Sequence, residues 1–125
     1  MDTEFNDKTP IYLQIMDIIK MNIVTGKLKS KDKLPSVREM AMNLKVNPNT
    51  LQRSYQELER LGIVYTQRGT GTFVGEDKEM VDDLKREMAK EVIDSFILRM
   101  KSLGFTTNEI IKSVSKETME VKQNE

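Results

Sequence analysis

The sequence predicts a mainly α-helical protein with one small β-hairpin. Apolar residues recur every three or four positions in five segments, and capping residues or glycines bound most of those segments. One pair of β-branched and aromatic runs flanks a glycine-rich turn. We therefore expect three helices and the hairpin within residues 1–75, and a two-helix region within residues 76–125.

The first helix is predicted to begin at Thr9-Pro10, with Thr9 as the N-cap and Pro10 in the first helical position. An apolar stripe at helical spacing then runs through Ile11, Ile15, Ile19 and Ile23. Gly26 ends the pattern, and the polar stretch KLKSKDK is predicted to be a connection.

The second helix is predicted to start at Ser36, because Ser36 and Glu39 have the S-x-x-E spacing of a capping box. Residues 45–47 then form a short turn, with Asn47 as cap and Pro48 opening the third helix. The buried stripe of the third helix consists of Leu51, Tyr55, Leu58 and Leu61. Its opposite face is polar and carries Asn49, Gln52, Arg53 and Gln56.

The hairpin is predicted from the runs at residues 63–66 and 72–74, which flank the loop at residues 67–71. Its stretch RGTGTFVG does not match a nucleotide-binding loop, because the third glycine falls one residue late and no Lys-Ser or Lys-Thr pair follows. The glycines are better explained as a hairpin tip that takes positive φ and approaches another surface closely.

The last segments predict a long helix from Asp77 to about Leu103, a stop at Gly104, and a second capping box formed by Thr106 and Glu109. The polar end, residues 122–125, is expected to fray. Because two helices are too few to cover their own apolar stripe, we expect a homodimer. The alternative is that these helices pack back within one chain. The predicted dimerisation residues are Leu84, Met88, Val92, Phe96, Met100, Leu103, Ile110 and Val114.

Composition argues against an enzyme. The chain has no cysteine and no histidine, which excludes disulfides and thiolate metal sites and removes the commonest general base. Carboxylates such as Asp82, Asp83 and Glu87 are interpreted as a solvated helix face, so neither a metal nor a cofactor is predicted. No run approaches the roughly 20 apolar residues of a membrane span, and the polar N-terminus is unlike a secretory signal. We expect a soluble cytoplasmic protein with no membrane partner.

A helix, a turn of about three residues, a helix with one polar face and a hairpin occur in the order of a winged helix-turn-helix. That module places its second helix in the DNA major groove, where the amides of Asn49 and Gln52 suit adenine and the forks of Arg38 and Arg53 suit guanine or phosphate. Arg68 suits a narrow minor groove. Hydroxyls for phosphates are offered by Ser36, Thr50 and Tyr55. Residues through Gly75 hold 11 basic and 8 acidic side chains, and the remainder holds 9 and 12.

Other roles stay open for single residues. Arg38 is also placed to pair with Glu39 or Glu57, and Arg53 with Glu57 at the i+4 position. Tyr55 fits the core better than a DNA contact, and Asn47 fits a helix cap better than a base contact.

Four strings carry a resemblance: PIYLQI (10–15), LPSVREMA (34–41), NPNTLQRSYQELERLGIV (47–64) and RGTGTFV (68–74). Together they resemble the GntR family of bacterial transcription regulators, and the short tail resembles the YtrA subfamily, in which it implies dimerisation. Two positions depart from the family, because Pro48 replaces an arginine of many members and Lys31 replaces a frequent glycine. The resemblance implies that DNA is contacted by Arg38, Asn49, Thr50, Gln52, Arg53, Arg68, Gly69, Thr70 and Gly71.

The resulting hypothesis is a homodimeric repressor that binds an inverted-repeat operator in double-stranded DNA. By resemblance, the implied targets are its own operon and a neighbouring ABC transporter, and a small apolar effector acting at the tail is left open. The main alternative is a winged-helix module that binds proteins without sequence-specific DNA binding. A nucleotide-using enzyme is a third alternative, which the glycine spacing and the missing histidines disfavour.

Overall fold

Five α-helices and one antiparallel hairpin make up residues 4–123, the part of the chain that this computed structural model describes. The mainly α-helical class with one small hairpin is confirmed. The elements in chain order are α1 (Ile11–Val24), α2 (Val37–Leu44), α3 (Pro48–Arg60), β1 (Val64–Gln67), β2 (Gly71–Val74), α4 (Lys78–Ser102) and α5 (Thr107–Gln123).

The start of α1 differs from the prediction by one residue. Pro10 is the N-cap and no side chain caps the helix, so the expected Thr9 cap is wrong. Thr9 is held instead in a turn before the helix, where its N–H donates to Asn6 Oδ1 at 3.3 Å and its carbonyl accepts from Gln14 Nε2 at 2.7 Å. The backbone groups of Thr9 are thus hydrogen-bonded within this turn. The carbonyl of Pro10 instead accepts from the N–H groups of the first helical turn.

Both predicted caps of the central helix pair are confirmed. Ser36 Oγ accepts from the Glu39 N–H at 3.1 Å, and the Glu39 carboxylate accepts from the Ser36 N–H at 3.4 Å. Asn47 Oδ1 accepts from the Asn49 N–H at 2.8 Å, with Pro48 in the first helical position of α3. The connecting turn, residues 45–47, begins with a left-handed residue, Lys45, at φ 56°. Local hydrogen bonds therefore define where α2 and α3 begin.

The core of the helix-turn-helix forms where α1 and α2 both pack against α3. The stripe of α3 that includes Leu51, Tyr55 and Leu58 is buried there together with stripes from the other two helices, which turns the opposite face of α3 outward. Leu61, predicted as part of this stripe, lies just past the helix end and is 47% exposed, so that part of the prediction is wrong. The largest fully buried side chains are Ile15, Ile19, Leu34, Met40, Leu51, Leu58, Val74 and Ser54.

The hairpin pairs Val64 with Val74 and Gln67 with Gly71 at its two ends. Residues 31–33, predicted only as part of a polar connection, and the following Leu34 pair with the outer edge of β2. The Val74 N–H donates to the Asp32 carbonyl and the Leu34 N–H donates to the Thr72 carbonyl, each at 2.8 Å. This pairing fixes the segment before α2 against the hairpin.

Lys31, where the family often has glycine, adopts a left-handed conformation with φ 70°. Its N–H donates to the Val74 carbonyl at 3.0 Å, so the same edge pairing determines the turn at Lys31. A lysine therefore occupies a conformation that glycine adopts at lower cost.

The chain divides into two compact units, Met1–Lys85 and Arg86–Glu125. The division lies within α4, whereas the sequence places its boundary between residues 75 and 76. The first two turns of α4 thus belong with the first unit, in which Leu84 is buried. The assignment of DNA binding and dimerisation to two separate regions stays a prediction.

The second unit contains the rest of α4 and α5. Its predicted capping box is present, because Thr106 Oγ1 accepts from the Glu109 N–H at 3.2 Å and the Glu109 carboxylate accepts from the Thr106 N–H at 2.9 Å. The expected fraying concerns the polar end, of which residues 124 and 125 lie outside the described part. None of the helices described over residues 4–123 is long and apolar enough to cross a membrane.

Candidate nucleic-acid interface

The outer face of α3 is polar and exposed. The predicted base-contacting residues Asn49, Gln52 and Arg53 all lie on it, with Gln56 one turn further on, while Thr50 is half-buried at its edge. Because the opposite stripe of α3 is locked against α1 and α2, the orientation of this face is set by the core. Two amides and one guanidinium are thus presented on a rigid helix.

The start of α2 contributes Ser36 and Arg38, both exposed. Ser36 Oγ accepts the helix-capping hydrogen bond, which leaves its hydroxyl proton for an external acceptor such as phosphate. The carboxylates considered as partners of Arg38 are both engaged, that of Glu39 by the cap and that of Glu57 by Arg60 at 2.8 Å. The structure therefore favours an outward role for the Arg38 guanidinium.

Arg53 does not form the ion pair with Glu57 that the sequence offered. Its guanidinium carbon lies 3.7 Å from the centroid of the Tyr12 ring on α1. The pKa of Glu57 is held below its usual value first by the hydrogen bond from Arg60 and only to the smallest extent by the charge of Arg53. Arg53 thus remains a cation on the outer face, stacked on an aromatic ring.

The wing, consisting of β1, β2 and the turn between them, exposes Arg68, Gly69 and Thr70 at its tip. The Thr70 N–H donates to the Gln67 carbonyl at 3.0 Å, which closes a turn that places Gly69 at φ 78°. That conformation at the third turn position favours glycine. The tip therefore adopts the positive-φ conformation for which its glycine was predicted.

The first strand of the wing is attached to α3. Thr66 Oγ1 on β1 donates to the Glu59 carboxylate on α3 at 2.9 Å. The rings of Tyr65 and Phe73 stack across the hairpin with centroids 5.6 Å apart. These contacts hold the tip in a defined position relative to the polar face of α3.

Lys33 is a cation of the wing that the sequence did not single out. Its Cε lies only 2.7 Å from the point where a β-carbon on Gly71 would stand, so its side chain crosses the hairpin directly over that glycine. Nothing local distinguishes Lys33 from its neighbours in KLKSKDK, since only the pairing of residues 31–34 with β2 brings it there. Gly71, predicted as a DNA contact, also leaves room for this lysine.

Tyr55 is unavailable as a phosphate ligand. Its side chain is buried, and its hydroxyl donates to the Pro35 carbonyl at 2.6 Å. Burial raises the pKa of Tyr55 well above its ordinary value, and the charge of Glu39 raises it further. The hydroxyl that the sequence offered to phosphate instead joins α3 to the segment before α2.

The predicted dimerisation residues differ widely in exposure. Leu84 and Ile110 are buried within the single chain, and Met88 and Met100 are half-buried. The exposed members are Val92, Phe96, Leu103 and Val114, with Val92 70% and Leu103 73% exposed. The second unit alone therefore leaves large apolar side chains in water.

Two open grooves follow this apolar surface. The α4 groove, of about 600 Å³, is lined by Glu91, Val92, Ser95, Phe96, Arg99, Met100 and Leu103. The α4–α5 groove, of about 590 Å³, is lined by Val92, Ile93, Phe96, Ile97, Ile110, Ile111, Val114 and Ser115. Across residues 4–123, no group of three or more acidic side chains is placed to hold a metal ion.

Comparison with known proteins agrees with this geometry. Residues 11–74, which span the helix-turn-helix and the wing, match the family model described as bacterial regulatory proteins, gntR family. The HTH-type transcriptional regulator YhcF of Bacillus subtilis is 53% identical over 114 residues, covering 91% of this chain and 94% of the relative. The HTH-type transcriptional repressor YtrA of the same organism is 39% identical over 121 residues, covering 94% and 93%.

Solved structures extend the likeness to the fold and to DNA. A GntR family transcriptional regulator from Listeria monocytogenes superposes with a TM-score of 0.82 at 47% identity, covering 90% of this chain and 98% of that one. The DNA-binding domain of AraR in complex with operator ORX1 superposes with a TM-score of 0.53 at 26% identity, covering 60% and 92%. The winged helix-turn-helix and the family resemblance predicted from the sequence are thereby confirmed.

Proposed function

Because this chain belongs to the GntR family of bacterial regulatory proteins, we propose that it acts as a homodimeric repressor that binds an inverted-repeat operator and thereby blocks transcription. The chain is a DNA-binding transcriptional regulator, and its membership of a family of regulators confirms the prediction that it is not an enzyme. The homodimer, the inverted-repeat symmetry of the operator and the repression of transcription are proposals.

The observation that carries the proposal is the exposed polar face of α3 beside a wing attached to the same helix. In the proposed complex, Asn49 and Gln52 contact base edges in the major groove. Arg68 enters the adjacent minor groove, and Lys33 neutralises a phosphate beside the wing. The free N–H groups at the start of α2 add a further site for phosphate next to Ser36.

The apolar surface of the second unit supports a dimer. A single winged helix covers only a few base pairs, so two copies on an inverted repeat supply the length that specific binding needs. A second copy of the chain would cover side chains such as Val92 and Phe96 that one copy leaves exposed. Self-association thus accounts for both the exposed surface and the expected operator.

The biological role is proposed from the relatives. One of them is named as a transcriptional repressor, which supports repression here. We extend this to the protein's own operon and a neighbouring ABC transporter, acting in the cytoplasm. The α4–α5 groove is the proposed place where a small apolar effector would alter the dimer, since its lining is almost entirely apolar.

Selection from a random-sequence duplex pool, followed by sequencing, tests this function. The wild type is expected to enrich an inverted repeat, and the enrichment should weaken with salt because phosphate contacts release counterions. Arg38→Ala and Gln52→Ala should relax the preference at one position of each half-site and cost about 1–3 kcal/mol. Lys112→Ala is the control, because Lys112 is an exposed cation of α5 in the second unit, away from the polar face of α3 and from the wing.

Two results would contradict the proposal. Enrichment of a single, unrepeated half-site would reject the dimeric arrangement. Failure of the folded protein to enrich any sequence would favour the alternative, in which the polar face of α3 binds a protein.

A further inference from the structure

Two neighbouring residues of α3 contact the same residue of α1. The guanidinium carbon of Arg53 lies 3.7 Å from the centroid of the Tyr12 ring. The fully buried Ser54 Oγ donates to the Tyr12 carbonyl at 2.9 Å. Tyr12 is therefore fixed against α3 through its backbone, and its half-buried ring forms a platform under an exposed arginine of the DNA-binding face.

Stacking restricts Arg53 without using its hydrogen-bonding capacity. The N–H groups of a guanidinium lie in its plane, so a ring beneath the plane leaves them free for a phosphate or for guanine. An exposed arginine otherwise samples many rotamers and loses that freedom when it binds. A ring that holds the arginine in advance lowers this loss.

The charge of Arg53 also stays available. Glu57 is the carboxylate at the i+4 position, and it accepts two hydrogen bonds from Arg60, at 2.8 and 3.0 Å. The influence of Arg53 on Glu57 is correspondingly the smallest of the causes that act on the pKa of that carboxyl group. Arg53 thus lies against the Tyr12 ring and does not pair with Glu57, the acid that the sequence suggested.

We propose that Tyr12 is a positioning residue for DNA recognition, whose ring holds the Arg53 guanidinium in the orientation that contacts each operator half-site. The inference rests on the proposed DNA-binding function and adds a residue outside the helix-turn-helix to it. Tyr12 acts through Arg53, so its ring matters and its hydroxyl does not. Two other roles make different predictions: a direct contact of the Tyr12 hydroxyl with phosphate, and a stack that holds Arg53 away from DNA.

Equilibrium binding of the full chain to the selected operator separates these roles. Tyr12→Phe keeps the ring and should bind within about 2-fold of the wild type, whereas Tyr12→Leu should bind about 2- to 5-fold more weakly, the range of an exposed cation–π contact. Tyr12→Leu combined with Arg53→Ala should bind no more weakly than Arg53→Ala alone, because the ring acts only through the arginine.

Thermal unfolding of each variant identifies a merely structural effect. Arg53→Lys provides a second variant that leaves α1 untouched, since it keeps the charge but lacks the planar group that stacks. It should weaken binding more in the wild-type background than in the Tyr12→Leu background, because only the wild type loses the stack in addition to the planar N–H groups.

Several outcomes would overturn the inference while leaving the proposed function intact. Wild-type affinity for Tyr12→Leu or Arg53→Lys would remove the role of the stack. Equal losses for Tyr12→Phe and Tyr12→Leu would assign the effect to the hydroxyl. Additive losses in the double variant would show that Tyr12 acts independently of Arg53. Absence of operator binding by the wild type would instead reject the proposed function, and the inference with it.

Discussion

At the scale of single residues, Gly71 and Lys33 form a pair that depends on the hairpin. Gly71 has φ 140°, a conformation that a side chain adopts only under strain, and the Lys33 side chain occupies the space in which a β-carbon would stand. The neighbouring Gly69 also has positive φ, but no atom lies within 4 Å of its missing β-carbon. Both glycines therefore have a positive φ that disfavours a side chain, but only Gly71 also has a neighbouring side chain in the way of a β-carbon.

Gly71→Ala is expected to lower the free energy of unfolding by about 1–3 kcal/mol, because the new methyl group adds a clash with Lys33 to the backbone strain. Adding Lys33→Ala should recover part of that loss by removing the clash. Gly69→Ala is the control, in which strain acts alone and Lys33→Ala should recover nothing. Urea unfolding of the four variants measures this, and equal recovery in both backgrounds would contradict the assigned contact.

The arginines of the candidate interface show how neighbours decide a side chain's role. Arg60 takes the carboxylate of Glu57, and this leaves Arg53 to stack on Tyr12. Two hydrogen bonds from Arg60 to one carboxylate oxygen of Glu57, at i+3 spacing, compete successfully with an i+4 pair to Arg53 that forms none. The consequence is an arginine that remains charged and oriented on the outer face of α3.

At the scale of elements, α2 in the candidate interface and α5 in the second unit both begin with a capping box. In each of the capping boxes of α2 and α5, two backbone N–H groups at the helix start donate to side-chain oxygens. In α5 the Thr106 N–H donates to the Glu109 carboxylate, and this backbone hydrogen bond is the largest cause that holds the pKa of Glu109 below its ordinary value of 4.5.

This cap makes the stability of α5 depend on pH. A lowered pKa in the folded state means that the unfolded chain takes up the proton first as the pH falls. The contribution of the Glu109 carboxylate is therefore complete above about its ordinary pKa and is lost as the pH falls through the lowered value.

Glu109→Gln should remove this pH dependence while keeping the cap, because the glutamine amide oxygen accepts the same N–H. The wild type is expected to be more stable than the variant at about pH 7, and the difference should shrink toward about pH 3. Circular dichroism during urea unfolding at both pH values measures it. Glu117→Gln, on the same helix and away from its start, serves as the control, and an equal shrinkage there would contradict the assignment.

At the scale of the whole molecule, two units of different chemistry divide the proposed work. The unit Met1–Lys85 has a closed core and a polar outer helix face. The unit Arg86–Glu125 leaves a row of apolar side chains exposed along its helices. A soluble monomer seldom leaves so much apolar surface uncovered, and a symmetric partner is the simplest way to cover it.

Val92→Glu is expected to raise the dimer dissociation constant by at least about 100-fold, because a symmetric interface would bury two unpaired carboxylates. Val92 is chosen because it is 70% exposed and lines both grooves. Met42→Glu, at a residue of α2 that is 74% exposed, is the matched control and should leave the dimer intact. Sedimentation equilibrium distinguishes them, and dimers of equal strength in both variants would move the proposed interface away from these grooves.

The sequence by itself determined the features that depend on a few neighbouring residues. The S-x-x-E caps, the turn at residues 45–47 and the two faces of α3 all follow from local hydrogen bonds and helical periodicity. The error at Thr9 is also local, because two nearby side chains, Asn6 and Gln14, hold it in a preceding turn. The family resemblance and the polar face of the candidate site were accessible in the same way.

Only the tertiary structure decided which distant residues meet. The stacking of Arg53 on Tyr12, the position of Lys33 over Gly71 and the burial of Leu84 each join segments that are separate in sequence or depend on how they pack. No local pattern encodes such pairs, since they arise when the buried stripes of several elements close one core and thereby bring particular surface side chains together. The sequence thus determined the elements and the chemistry they carry, and packing decided the partners of each side chain.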